Sequence, residues 1–402
     1  MRGLSVVACV AVLGAIGGAS ADGSLAAAPS GSPSGHQPDS VRTGIGPTRL
    51  IEPGFGYSVA YRTVTRGTTL QTAIGVFVDD AGQWRNVTPP MLRTDGINTI
   101  DDVTFLDRQH GWVAAYNCGK VAVYLYRTND GGRSWQSFGK VGYHSCGGGP
   151  TFLSFVGLQH GWMEPVSPNA PEGELLGTRD GGRTWARLAS GPSSQVLQPA
   201  LPCLAPIRFV SAAIGWTARC GDGGMFSTHD GGRRWGRVTI RFADSSRARF
   251  DLPSFDGSAG VVSATLGTRP PSEAAATRNV AFFGSQDGGR VWSLQSIRPI
   301  ASCPLEGDAS ADLWPTAVAN TRVWWVVAGR RHQIVQVTAD AGQHWRAVIA
   351  RGLPTEPCSV MSVSASSARV AWVVARRGPA STALFETSDG GSTWHQVNLL
   401  HG

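Results

Sequence analysis

Thr128-Asn129-Asp130-Gly131-Gly132-Arg133-Ser134-Trp135 places a carboxylate, a guanidinium and an indole within one octapeptide. Together these groups are the makings of a site for a polar or charged ligand. Five other acids, Asp101, Asp102, Glu164, Glu172 and Glu174, could supply a glycoside-hydrolysing pair if two of them sat a few ångströms apart. No spacing singles out such a pair. Cys146-Gly147-Gly148-Gly149-Pro150 is glycine-rich, but no lysine and no helix pattern follow it, so it is not a phosphate loop. His110 and His160 each precede a Gly-Trp pair and read as turn residues. Neither a Ser–His–Asp set nor a zinc spacing emerges, and no metal or cofactor is expected.

The octapeptide recurs. Copies stand at Thr178–Trp185, Thr228–Trp235, Ser285–Trp292, Thr338–Trp345 and Thr387–Trp394. The frame is Ser/Thr, any residue, Asp, Gly or Ala, Gly, two residues, Trp. A shortened copy, Asp80-Ala81-Gly82-Gln83-Trp84, comes first. The aspartates at 80, 130, 180, 230, 287, 340 and 389 are spaced by 50, 50, 50, 57, 53 and 49 residues. A period of this size signals a repeat architecture. A set used seven times fastens a structure rather than running a reaction, so Asp80, Asp130, Asp180, Asp230, Asp287, Asp340 and Asp389 read as turn residues. The glycine accepts positive φ, and the aspartate side chain bonds backbone N–H groups further along. Trp135, Trp185, Trp235, Trp292, Trp345 and Trp394 then open the following strand, where a half-buried pleat suits them.

A second element lies upstream of each turn. Val103 to Trp112 is the clearest copy, repeated at Leu153–Trp162 and Ile207–Trp216 and decaying over Leu252–Val261, Leu313–Trp325 and Val360–Trp372. One repeat therefore divides into four short strands. In the second repeat these are Asp102–Leu106, Gly111–Tyr116, Val121–Arg127 and Trp135–Phe138. Apolar runs such as Val323-Trp324-Trp325-Val326-Val327 suit strands covered on both faces. A lone four-stranded sheet cannot cover itself. The chain is accordingly expected to be all-β, a seven-bladed β-propeller with four antiparallel strands per blade over residues 49–402.

The first 21 residues read as an export signal: Arg2, the apolar or small run Leu4–Gly18, and a cleavage site Ala19-Ser20-Ala21. Residues 22–48 include Ala28-Pro29-Ser30-Gly31-Ser32-Pro33-Ser34-Gly35 and read as a disordered spacer. No membrane span is expected once the signal is removed, and a monomer is expected. Cys118, Cys146, Cys203, Cys220, Cys303 and Cys358 remain, an even number that suits disulfides in an exported protein. All six fall in connections opposite the Asp-Gly turns. Cys118–Cys146, Cys203–Cys220 and Cys303–Cys358 are the pairs that placement favours, among many that six cysteines allow. Net charge is +7, and Lys120 and Lys140 are the only lysines. The arginines are dispersed, which fits a solvated surface rather than a nucleic-acid binder. Arg133, Arg183, Arg233 and Arg290 share one turn position and would line a rim able to meet an anionic partner.

These turns resemble the Asp-box, or bacterial neuraminidase, repeat. With the upstream F-x-x-x-x-x-G-W element, residues 49–402 resemble the photosystem II assembly and stability factor family of seven-bladed propellers. The resemblance implies a non-catalytic module that holds a peptide or protein, in that family a photosynthetic reaction-centre assembly intermediate. Sialidases share the repeat and imply a glycosidase instead. They need an arginine triad, a late Tyr–Glu pair and an acid/base Asp. Here Tyr57, Tyr61, Tyr116, Tyr124, Tyr126 and Tyr143 all precede the last four repeats. Ile297-Arg298-Pro299-Ile300 has the wrong order and place for the sialidase Arg-Ile-Pro segment. The sequence thus favours an exported, non-catalytic binding or scaffold propeller, taking a protein, peptide or glycan on its loop-rich face.

Overall fold

The computed structural model describes residues 40–66, 69–142, 151–164, 175–189, 206–218, 224–242, 248–266, 278–300, 315–329, 332–378 and 381–400. They form seven sheets in chain order, each built on antiparallel strands, spanning 40–86, 99–142, 152–189, 207–237, 239–300, 316–349 and 360–397. These are the seven blades. In the second blade the strands are Thr99–Phe105, Gly111–Asn117, Ala122–Thr128 and Gln136–Gly142. Each lies within a few residues of its expected place. Val121 adopts φ 50° after the short 3-10 turn Cys118–Lys120, so the third strand starts one residue late. The second strand is buried along its whole length, because strands flank both its edges and blades cover both its faces. One helical turn, Met91–Thr94, links the first two blades and departs from the helix-free expectation.

The F-x-x-x-x-x-G-W element is the fastener between blades. Phe105 pairs with Gly111 across the first two strands of its blade, and the phenyl ring occupies the space where a Cβ of Gly111 would lie. Gly161 beneath Phe155 and Gly215 beneath Phe209 repeat this. The Trp that follows stacks on the phenylalanine of the next blade. Trp112 lies 4.0 Å from Phe155, Trp162 3.7 Å from Phe209 and Trp216 4.4 Å from Phe255, measured between ring centroids. Each of those phenylalanines meets the turn tryptophan of its own blade edge-on: Trp185, Trp235 and Trp292 at 6.2, 5.9 and 5.8 Å. Offset and edge-on pairs of this kind add to the burial of the rings themselves.

The ring closes without a shared strand, through packing and side-chain hydrogen bonds. The last blade is complete in its own four strands, and the first blade pairs only within its own sheet. Leu50 packs against Trp372, Val374 and Leu384. The Ile45 amide donates to Thr382 Oγ1 at 2.7 Å, and the Leu50 amide to Ser364 Oγ at 2.8 Å. The strand Ser40–Glu52 corrects the expected spacer boundary at residue 48, and the propeller begins by residue 40. Gly44, Gly46 and Pro47 gave this segment a linker-like composition. Gly46 is needed because a Cβ there would come within 2.8 Å of the Tyr61 ring. The signal segment and the rest of the spacer lie outside the described residues.

The fifth blade departs from the pattern. Its first strand is split into Ala248–Phe250 and Ser254–Asp256, both paired with Ala259–Leu266. The break falls at Pro253, which has no amide to give a ladder. Thr239–Arg241 adds in parallel to the outer strand Val291–Ile300, so this sheet has six strands.

Candidate functional site

The six full-length Asp-Gly turns are closed on themselves. Thr128 Oγ1 donates to Asp130 Oδ1 and accepts from the Gly132 amide, both at 2.8 Å. The Ser134 amide donates to Asp130 Oδ1 at 2.8 Å, and its hydroxyl to Oδ2. The remaining five repeat the amide bond from the residue four beyond the aspartate at 2.9 to 3.1 Å. Hydrogen bonds from Ser134 hold the Asp130 carboxyl down to about 2, and Asp180, Asp230, Asp287, Asp340 and Asp389 are lowered too. Such carboxylates are held in the ionised form by bonds within their own turns.

The shortened first copy is a different turn. Val78 stands where the others have Ser or Thr, and Asp80 pairs directly with Gln83 across Ala81 and Gly82, whose φ of 54° and 84° match the paired positive φ of the other turns. That is a two-residue hairpin of the type that demands positive φ twice. Asp80 is ion-paired with Arg108, which also reaches Glu52 at 3.1 Å. In all seven blades the turn donates an amide to the carbonyl of the first-to-second-strand turn, from Ala81 to Gly54 at 2.8 Å through Gly390 to Arg369 at 2.9 Å. The two turn types therefore share one face.

The arginine rim is largely turned inward. Arg133, Arg183 and Arg233 are exposed, but each Nη1 folds back on the carbonyl of its own turn aspartate at 3.3, 3.1 and 3.0 Å. Arg290 is exposed without that bond. Cys118 and Cys358 are each disulfide-bonded. Cys146, Cys203, Cys220 and Cys303 lie outside the described residues, and with them the pairing.

Of the candidate hydrolytic acids, Asp101 and Asp102 are engaged with backbone amides. Asp102 accepts from the Val103 and Leu153 amides, each at 2.8 Å, and Asp101 from the Thr151 amide at 3.3 Å. These bonds tie the second blade to the third. Burial raises both carboxyls to about 7. Burial raises Glu164 to about 8. Glu172 and Glu174 lie outside the described residues. Among the described residues no cluster of three potential metal ligands occurs.

What the structure does bring together lies at the axis, where first strands of neighbouring blades touch. One register position is informative. In five blades the residue paired with the interblade Tyr or Trp is Arg49 opposite Tyr57, Thr104 opposite Trp112, Ser154 opposite Trp162, Arg208 opposite Trp216, and Ser364 opposite Trp372, while in the sixth Val318 stands opposite Trp324. The serines lock the next blade: Ser154 Oγ accepts the Phe209 amide at 2.9 Å, and Ser364 Oγ accepts the Leu50 amide. Two blades put a guanidinium there instead. Arg208 Nη1 reaches the Pro253 and Leu252 carbonyls at 3.2 and 3.4 Å, across the broken strand of the fifth blade. Arg49 is exposed, and among the described residues its side chain makes no hydrogen bond or ion pair.

The two arginines feel one another. Burial and the Arg49 charge pull Arg208 down to about 10. Tyr57 is raised by burial, and both arginines act on it. Asp251, raised by burial, completes the group with Asp102. Arg49, Tyr57, Arg208 and Asp251 were not singled out from the sequence. The available signal was a repeat position held by hydroxyls in three blades and by arginine in two.

No protein-family model matches the sequence, and no curated protein matches it. Solved structures do. YCF48 bound to D1 peptide is 19% identical, over 74% of this chain and 80% of that one, with a TM-score of 0.45. YCF48 from Cyanidioschyzon merolae is 17% identical, over 75% and 85%, also at 0.45. The Niastella koreensis GH74 enzyme is 13% identical, with a TM-score of 0.53, and matches 88% of this chain but only 54% of its own. The chain thus spans about half the length of that enzyme. The photosystem II assembly factor to which the turns pointed is among the structural neighbours, beside glycoside hydrolases. Identities this low establish the fold, a seven-bladed β-propeller, and leave the activity to the residues of this chain.

Proposed function

We propose that this protein is an exported, non-catalytic binding module that holds a segment of a partner protein at the propeller axis, entered from the face opposite the Asp-Gly turns. The observation that carries this reading is the axial cluster. In two blades an arginine stands at the repeat position whose hydroxyl fastens other blades, and one of the two is left unengaged. Catalysis has less support, since Asp101 and Asp102 are spent on backbone amides. A glycan is the weaker ligand class. Sugar rings lay their C–H faces on exposed aromatic rings, and among the described residues no aromatic side chain is exposed. Peptide capture is a use to which the fold is put in the YCF48–D1 peptide complex, although for this chain the reading rests on its own residues. Export rests on the first 21 residues, and the mature chain is expected to begin at Asp22.

The test is chemical cross-linking of the full-length protein in a cell-envelope extract, with the cross-linked sites mapped by mass spectrometry. Sites on the first strands and the loop-rich face support the reading. Sites confined to the Asp-Gly turns overturn it, as does turnover in a hydrolysis screen on sialosides and plant or bacterial glycans.

A further inference from the structure

Arg49 and Arg208 specify more than binding, and the chemistry they select rests on the function just proposed. A guanidinium carries five N–H donors in a planar fork that matches a carboxylate. Arg208 spends one nitrogen on two long carbonyl contacts, and Arg49 spends none. Neither has a carboxylate within ion-pair distance among the described residues, although Asp102 and Asp251 lie close enough to be felt. Those two acids are already turned to backbone amides: Asp102 to Val103 and Leu153, and Asp251 Oδ1 to Leu252 at 2.7 Å. The axis therefore holds two cations whose donors point at no anion.

We propose that Arg49, backed by Arg208, receives a carboxylate of a peptide segment that enters the axis. Arg49 is the contacting residue, because it is exposed and its donors are free. Arg208 is a positioning and field residue, wedged against the fifth blade. The carboxylate has two sources, a free C-terminus or an acidic side chain, and both present the same two oxygens to the fork. Binding is coupled to protons. A ligand anion beside Asp102 and Asp251 makes their ionisation costlier, so they take up protons as it binds. Arg49, Arg208, Tyr57 and Thr104 are the other groups facing this space; burial raises Tyr57, and Arg208 is held at about 10, so both keep their charge state between pH 8 and 6. Affinity should accordingly rise as pH falls from 8 to 6.

The experiment uses the full-length protein and three fluorescein-labelled Gly/Ser peptides, read by fluorescence anisotropy. One ends in a free carboxylate, one in an amide, and one in an amide with a single internal Glu. Preference for the first assigns a C-terminus, and preference for the third assigns a side chain. Arg49→Gln should weaken the preferred peptide about tenfold or more, the range for a hydrogen bond to a charged group. Arg49→Lys should restore part of it, since the charge returns without the fork. The melting temperature of both variants should match the parent, because Arg49 bonds nothing in the fold. If no peptide binds, or the amide without Glu binds as well as the acids, the proposal falls. Equal binding by Arg49→Gln also removes it, while a cross-linked partner at the axis would leave the wider function standing.

Discussion

Trp84 of the first blade lies against Trp372 of the last, with ring centroids 4.8 Å apart and planes inclined by 37°. The chain does not run across this seam, and no strand is exchanged over it. Trp372 is almost wholly buried, and Gly56 exists to admit it, since a Cβ there would come within 2.5 Å of the indole. Trp372→Ala should therefore open the ring and cost about 3–5 kcal/mol, the range for removing a large core aromatic. Ile349→Ala, on an exposed edge strand, should stay within about 0.5 kcal/mol. Denaturant unfolding measures both, and a Trp372→Ala protein as stable as the parent would show that closure lies elsewhere.

The turn aspartates set the acid limit of the fold. Their folded-state pKa values lie below the unfolded one, with Asp130 at about 2. Their contribution is present above the unfolded value and is lost as pH falls through the folded one. Stability should decline between about pH 4 and pH 2. Asp130→Ala removes the acceptor for Ser134 and Thr128 and should cost about 1–2 kcal/mol at pH 7. It should also make the acid limb shallower. Parallel acid limbs in variant and parent would contradict this account.

The fold was legible because its determinants are local and repeated. Each Asp-Gly turn carries its own hydrogen-bond set within eight residues, and each Phe–Gly–Trp element supplies one interblade stack. The axial site was not legible, because Arg49 and Arg208 are remote in sequence and come within electrostatic reach of one another only through closure of the ring. The fifth blade was half-legible. Its longer spacing showed, whereas the parallel strand Thr239–Arg241 depends on an edge that exists only after folding.

Replacing Arg133, Arg183, Arg233 and Arg290 together by glutamine separates rim from axis. Three of the four fold back on their own turns at exposed positions, and such contacts contribute little. The melting temperature should move by only a few degrees. Partner binding should persist if the axis holds the ligand, and a loss of salt-sensitive binding would return the site to the rim.

Cys118 and Cys358 are bonded, and their expected partners are Cys146 and Cys303, with Cys203–Cys220 as the third pair. Each bond would staple neighbouring connections on the face opposite the turns. Non-reducing peptide mapping should return these three pairs. Reduction should lower stability by about 2–4 kcal/mol per bond. A recovered Cys118–Cys358 peptide would refute the assignment outright.

Two acids oppose the turn aspartates across the closing seam. Asp79 pairs with Trp84 in the first blade, and Glu386 with Trp372 in the last, so both flank the tryptophan contact. Asp79 is 4% exposed, and its Oδ1 has no hydrogen-bond partner. Burial raises its pKa; the Gly82 amide and Arg108 oppose this, and Asp80 adds to it. Burial and then Asp79 raise Glu386, against His395 and Trp84. For an acid raised in the folded state, stability is fully present below the unfolded pKa and is lost as pH rises through the folded one. Ionising both carboxyls therefore strains the seam on the alkaline side, the reverse of the turn aspartates. Asp79→Asn keeps an acceptor for Gly82 and removes the charge. It should stabilise the protein at pH 8 by about 1 kcal/mol, the low end of the cost of a buried unpaired polar group, and leave pH 4 unchanged. Thermal melts at the two pH values decide the matter: equal shifts at both would mean that Asp79 acts through packing and not through its charge.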